Sequence, residues 1–153
     1  MATAYKIKYA ASATPIETLT AEDGTTKTSL VHSLIDKTIG GGAEADCGSA
    51  AANITYVDYT TTASNSTTLT TALGGVNITG IDFIMIKIRE AGSTGTPDVI
   101  LRLVDAAAAQ QTLSGVGDVI MLRPAGWASD NYKIYSSGAT ELAKIDILYG
   151  KVA

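Results

Sequence analysis

The feature that most constrains this chain is the period of its apolar residues. Along short runs they alternate with polar ones, and each run ends at Gly, Asn, Asp or Ser. Tyr5, Ile7 and Tyr9 alternate with Lys6 and Lys8, and Ile145, Ile147 and Tyr149 alternate with Lys144, Asp146 and Leu148. Successive side chains of a strand point to opposite faces, so this period reads as half-buried strands closed by turns.

A pass along the chain extends the pattern. Ile16 to Thr20 reads as a second short strand, followed by a turn at Glu22-Asp23-Gly24. Leu30 to Ile39 fits a helical stripe through Leu30, Leu34 and Ile35. A strand is preferred there, because Thr38 and Gly40 would end a helix early. Gly40-Gly41-Gly42 through Ala52 reads as a small-residue loop, its glycines taking positive φ. Ile54 to Thr62 and Thr67 to Leu73 are Thr- and aromatic-rich runs suited to a pleated surface. Ile78 to Glu90 is apolar on both faces, as a central strand is. Val99 to Val104 and Asp118 to Leu122 follow. Asn131 to Tyr135 and Ala143 to Tyr149 form a last pair around Ser136-Ser137-Gly138.

This gives about nine or ten short strands, at the spacing expected of a sandwich or barrel. There is no strand–helix–strand alternation, no fixed repeat and no linker. The expected fold is all-β: an antiparallel β-sandwich, jelly-roll or Ig-like, with little or no helix. It is expected as one domain over residues 1–153, with residues 1–12 free to serve as an extended arm.

Composition narrows the function. Charged residues are 17% of the chain, against about 25% in an average domain, and Thr, Ser, Ala, Gly and Asn cover the surface instead. Net charge is -4 and Lys and Arg are scattered, which argues against a phosphate-binding stripe or an anionic membrane surface. No apolar run approaches the roughly 18 residues of a membrane span, and no basic-then-apolar leader is present. The chain is therefore expected to bind neither nucleic acid nor membrane.

Side chains that do chemistry are sparse. His32 is the sole histidine and Cys47 the sole cysteine, so neither a disulfide nor a structural zinc site can form within one chain. No Gly-x-Ser-x-Gly elbow surrounds a serine, and nothing near Cys47 would lower a thiol pKa. Gly40-Gly41-Gly42 lacks the Gly-Lys-Ser/Thr of a phosphate loop. Glu22-Asp23 and Glu44 with Asp46 do not follow an EF-hand spacing. The Asn-x-Ser/Thr triplets at Asn53, Asn65 and Asn77 read as ordinary Thr-rich strand sequence. No enzyme, cofactor or metal is expected. Trp127, the only tryptophan, is the candidate interface or ligand platform, together with Tyr132 or Tyr135.

Three stretches carry a family resemblance: Gly80-Ile81-Asp82-Phe83-Ile84-Met85-Ile86-Lys87-Ile88, Val99-Ile100-Leu101-Arg102-Leu103, and the ending from Tyr132 to Gly150. In this order they resemble virion structural proteins of tailed bacteriophages, particularly head decoration or cement proteins. The resemblance covers residues 76–150 and implies a jelly-roll or Ig-like sandwich that assembles as a homo-oligomer, a trimer among the options. It further implies that the chain is made in the bacterial cytoplasm and ends in the virion, on the major capsid protein or other virion proteins. Such a protein would cement a capsid by binding neighbouring subunits. The same strand pattern looks like carbohydrate-binding jelly rolls. The alternative reading is therefore an adhesin module of a tail tip or fibre, with Trp127 and Tyr132 or Tyr135 as its sugar platform.

Overall fold

The structure, a computed structural model, describes residues 3–30, 39–62, 67–90, 99–102, 110–124, 132–136 and 142–151. It is all-β and antiparallel. The strands are β1 (Lys6–Ala13), β2 (Ile16–Thr20), β3 (Thr26–Leu30), β4 (Ile39–Asp46), β5 (Ile54–Thr60), β6 (Thr67–Thr68), β7 (Ile81–Glu90), β8 (Val99–Arg102), β9 (Gln110–Leu113), β10 (Val119–Leu122), β11 (Lys133–Ser136) and β12 (Lys144–Lys151). One short helix, α1 (Leu69–Ala72), and two 3-10 turns complete the described elements. Contacts gather the chain into two compact units: Met1–Ile7 with Ala45–Ala153, and Lys8–Glu44.

The first unit is built on the sheet β10-β7-β12-β5 and a second sheet, β6-β11-β8-β9. β7 is central, as its apolar faces require. It pairs β12 from Ile145↔Ile88 to Gly150↔Phe83, with register shifts at both ends. Ile84, Ile86 and Ile88 of β7 and Ile145, Ile147 and Tyr149 of β12 turn to one face and are buried. They meet Leu113 of β9, Tyr132 and Ile134 beside and within β11, and Leu69, Ala72 and Leu73 at α1 in one core. Each fully buried isoleucine contributes about 2 kcal/mol relative to exposure. Two backbone ties join strand ends: Ser136 N donates to Thr62 O at 3.4 Å, and Thr61 N to Ala143 O at 2.9 Å.

Three local readings are corrected by the structure. Thr67 to Leu73 is not one strand: after β6 the chain turns into α1. The Thr68 hydroxyl accepts from Thr71 N at 3.3 Å and caps that helix, while Leu69, Ala72 and Leu73 at helical spacing fall into the core. Gly40-Gly41-Gly42 is no positive-φ loop, for it lies inside β4, which pairs with β1. A Cβ on Gly42 would lie 2.6 Å from Tyr9 O, so glycine is needed for close backbone approach. The third correction concerns the last two strands, which do not pair with each other. β11 pairs β6 and β8, whereas β12 pairs β5 and β7, so the chain changes sheet between them. The preferred strand reading of residues 31–38 lies outside the described residues.

On the side of the sheet away from this core, Ile7 and Cys47 close over Gly150. A Cβ there would come within 2.5 Å of Cys47 Sγ and 2.8 Å of Ile7 Cδ1. Gly150→Ala is therefore expected to destabilise the protein by about 1–3 kcal/mol through overpacking. Adding Cys47→Ala should recover part of that loss. A double-mutant cycle by denaturant titration checks both, and strict additivity would remove the contact as the cause.

Candidate functional site

The outward face of β10-β7-β12-β5 follows from the registers. One row runs Val119, Lys87, Asp146, Asp58, and the next Met121, Met85, Leu148, Tyr56. The first row opposes two carboxylates, which repel each other when charged. Arg89 answers this: its guanidinium is 2.6 Å from Asp58 Oδ1 and 3.4 Å from Asp146 Oδ1. The Tyr56 hydroxyl donates to Asp146 Oδ1 at 2.6 Å. That bond pushes the Tyr56 pKa up, and the bond to Asp58 pushes Arg89 up likewise. Nearby, Lys144 Nζ lies 2.6 Å from Glu90 Oε2 and lowers the Glu90 pKa, and Arg123 pairs with Asp82. Arg89, Lys144 and Arg123 are thus each held in an ion pair. The second row is apolar, and Tyr56 stands 58% exposed at its end.

The second unit is of a different kind. The β2–β3 hairpin pairs in register from Ile16↔Leu30 to Thr20↔Thr26. Its turn is set by Asp23, whose Oδ1 accepts from Thr25 N at 2.9 Å and from the Thr25 hydroxyl, which lowers the Asp23 pKa. Gly24 supplies a φ of 80°. Among the described side chains of Lys8–Glu44, none is buried. Ile16 is 63% and Ile39 78% exposed, and Ile39 lines a shallow depression with Ala11, Ser12, Ala13, Gly40 and Gly41.

Of the residues singled out in the sequence, Trp127 and His32 lie outside the described residues. Tyr132 is buried in the core, and Tyr135 is half-buried on β11. Their odd sequence separation puts them on opposite faces, so the two rings do not make one platform. Cys47 is fully buried, its Sγ donating to Ala45 O at 3.6 Å, and burial pushes its thiol pKa up. Asn53 and Asn77 have local tasks. Asn53 Nδ2 donates to Cys47 O at 2.6 Å, and Asn77 Oδ1 caps the turn at Ile78–Gly80 by accepting from Thr79 N at 3.0 Å. Among the described residues no group of three His, Cys, Asp or Glu side chains could hold a metal ion. Sequence reasoning missed Tyr56 as an exposed ring and Arg89 as a bridge. The period-two pattern of β5 carried the first, but the second needs the register of three strands.

No family model, curated protein or solved structure matches the chain.

Two predictions test these pairs. The Glu90 pKa is depressed from its ordinary value of 4.5. Its pairing therefore stabilises the fold above that value, and the stability is lost as pH falls through the lower folded-state value. Lys144→Met should flatten that part of the stability–pH curve, measured by urea titration between pH 2 and pH 7 (roughly the carboxylate range and above). Arg89→Gln should destabilise the protein, because it leaves Asp58 and Asp146 opposed across β5 and β12 with no cation between them, and added salt should shrink that loss in urea titrations. An equal loss at every salt concentration would show that Arg89 acts by packing alone.

Proposed function

We propose that the chain is a structural assembly protein, a virion component that decorates or cements a phage capsid by binding neighbouring capsid subunits. One observation carries the assembly part: the unit Lys8–Glu44 has no buried side chain among those described. Ordering a residue costs about 1–2 kcal/mol of backbone entropy, and an isolated two-stranded hairpin is marginal in water. A unit of this kind gains its burial from a partner surface. Among its described side chains, Ile16 and Ile39 are large, apolar and exposed. The paired charges of the outward sheet face fit the same role, since interfaces favour neutralised surfaces over isolated charge.

The capsid as partner rests on the likeness of residues 76–150 to phage head decoration proteins. Many identical sites on a shell would multiply a modest single contact into firm attachment. The sugar-platform alternative draws no support from Tyr132, whose ring is in the core.

The test is co-sedimentation with emptied shells of a tailed phage. The chain should pellet with the shells. Ile39→Asp should weaken that binding on the order of tenfold, the scale of one interface anchor, while the melting temperature of the free protein stays unchanged. A folded protein that stays in the supernatant at every shell concentration would overturn the capsid reading. Binding unaffected by Ile39→Asp and Ile16→Asp would overturn the role of the second unit.

A further inference from the structure

Sheet edges are where one chain can read another, because their outward N–H and C=O groups lack a ladder. Among the described residues of the two sheets of the first unit, three edge strands are short. β10 and β9 have four residues each and β6 has two. The fourth, β5, has seven, Ile54-Thr55-Tyr56-Val57-Asp58-Tyr59-Thr60. It pairs β12 over its whole length in constant register, so no bulge twists it away. It holds no Lys and no Pro, the residues that usually guard an edge. Its β-branched and aromatic composition suits pairing.

The order of residues in β5 selects the partner. We propose that β5 pairs antiparallel with β5 of a second copy of this chain, centred on Val57. Only that centre engages all seven residues. It sets Val57 against the partner's Val57, Thr55 against the partner's Tyr59, and Ile54 against the partner's Thr60. Tyr56 then faces the partner's Asp58, an aromatic ring beside a carboxylate already neutralised by Arg89. Centring on Asp58 would oppose two carboxylates and leave Ile54 and Thr55 overhanging. Centring on Tyr56 would leave Tyr59 and Thr60 overhanging. The pairing is isologous, so it closes at two copies. Two four-stranded sheets become one continuous sheet. The half-buried Val57 and Tyr59, already packed against the core, gain the cover that the edge denies them. This inference goes beyond the capsid reading and does not depend on it.

Light scattering on the full chain tests it. The wild type should show twice the mass of one chain, falling on dilution. Tyr56→Lys with Asp58→Lys sets like charges opposite each other twice, at two exposed positions, and should give one-chain mass with an unchanged strand signal in circular dichroism. Val57→Cys should form a disulfide-linked dimer under mild oxidation, while Tyr59→Cys, which faces Thr55 and not itself, should not. A wild type that is monomeric at every concentration, or a trimer, overturns the proposal. So does a doubly substituted protein that keeps the two-chain mass. If that protein fails to fold, the cysteine pair decides: linkage at Val57→Cys alone supports the register, and equal linkage or none at both positions overturns it. Shell binding that survives the double substitution leaves the capsid reading intact.

Discussion

The pairing of β7 with β12 is the constraint on which the first unit depends. Its register sends Ile84, Ile86, Ile88, Ile145, Ile147 and Tyr149 to the core and Met85, Lys87, Asp146 and Leu148 outward. A slip by one residue on β12 would turn Asp146 and Lys144 inward and expose three core side chains. The desolvation of unpaired charges alone would then exceed the stability of a typical domain. The same register places Gly150 beside Phe83, where the absence of a side chain lets Ile7 and Cys47 close over the sheet. It also brings Asp146 within reach of Arg89 and Tyr56. Core, outward charge bridge and the packing of Ile7 and Cys47 over Gly150 are thus three results of one alignment.

Much of this was legible in the chain. Strands at Lys6–Ala13, Ile16–Thr20, Ile54–Thr60, Ile81–Glu90, Val119–Leu122 and Lys144–Lys151 follow from their period, and the all-β class follows from their number. The turn at Asp23-Gly24 follows from its side chains. What stayed hidden depends on contacts distant in sequence. Thr67 to Leu73 has β-branched residues that suit a strand, yet Leu69, Ala72 and Leu73 also sit at helical spacing, and burial against β11 decides between them. Gly40 to Gly42 looks like a loop until Ala10 to Ala13 lie opposite. Proximity in sequence suggested a hairpin of β11 and β12, but each instead found its partners in a different sheet.

The candidate site was less legible for a related reason. Rarity drew attention to Trp127, Tyr132 and Tyr135, but the count of a residue type does not report its exposure. Parity does: Tyr132 shares a face with the buried Ile134, and Tyr135 does not. The same rule applied to β5 turns Tyr56 and Asp58 away from Val57 and Tyr59, and only the latter two pack on the core. Arg89 could not be assigned this way, because its partners sit 31 residues upstream on β5 and on the last strand.

The two units differ in what they leave outside. In the first unit the core is closed between two sheets, while the outward sheet face carries an apolar row ending at the exposed Tyr56 and three sets of ion pairs: Arg89 with Asp58 and Asp146, Lys144 with Glu90, and Arg123 with Asp82. Exposed pairs contribute little to stability in water, so their effect is to leave a face of low net field. In the second unit the described side chains are mostly small or hydroxylic, and its large apolar ones stand in solvent. Thr and Ser hydroxyls cost less to cover than charges do, provided the covering surface supplies their hydrogen bonds. With 17% of its residues charged, the chain carries few charges on its surfaces. Low charge leaves edges and faces open to association, and regular pairing then depends on register. A strand such as β5, whose sequence accepts one full-length alignment with itself, would limit association through its edge to a closed pair instead of an open chain.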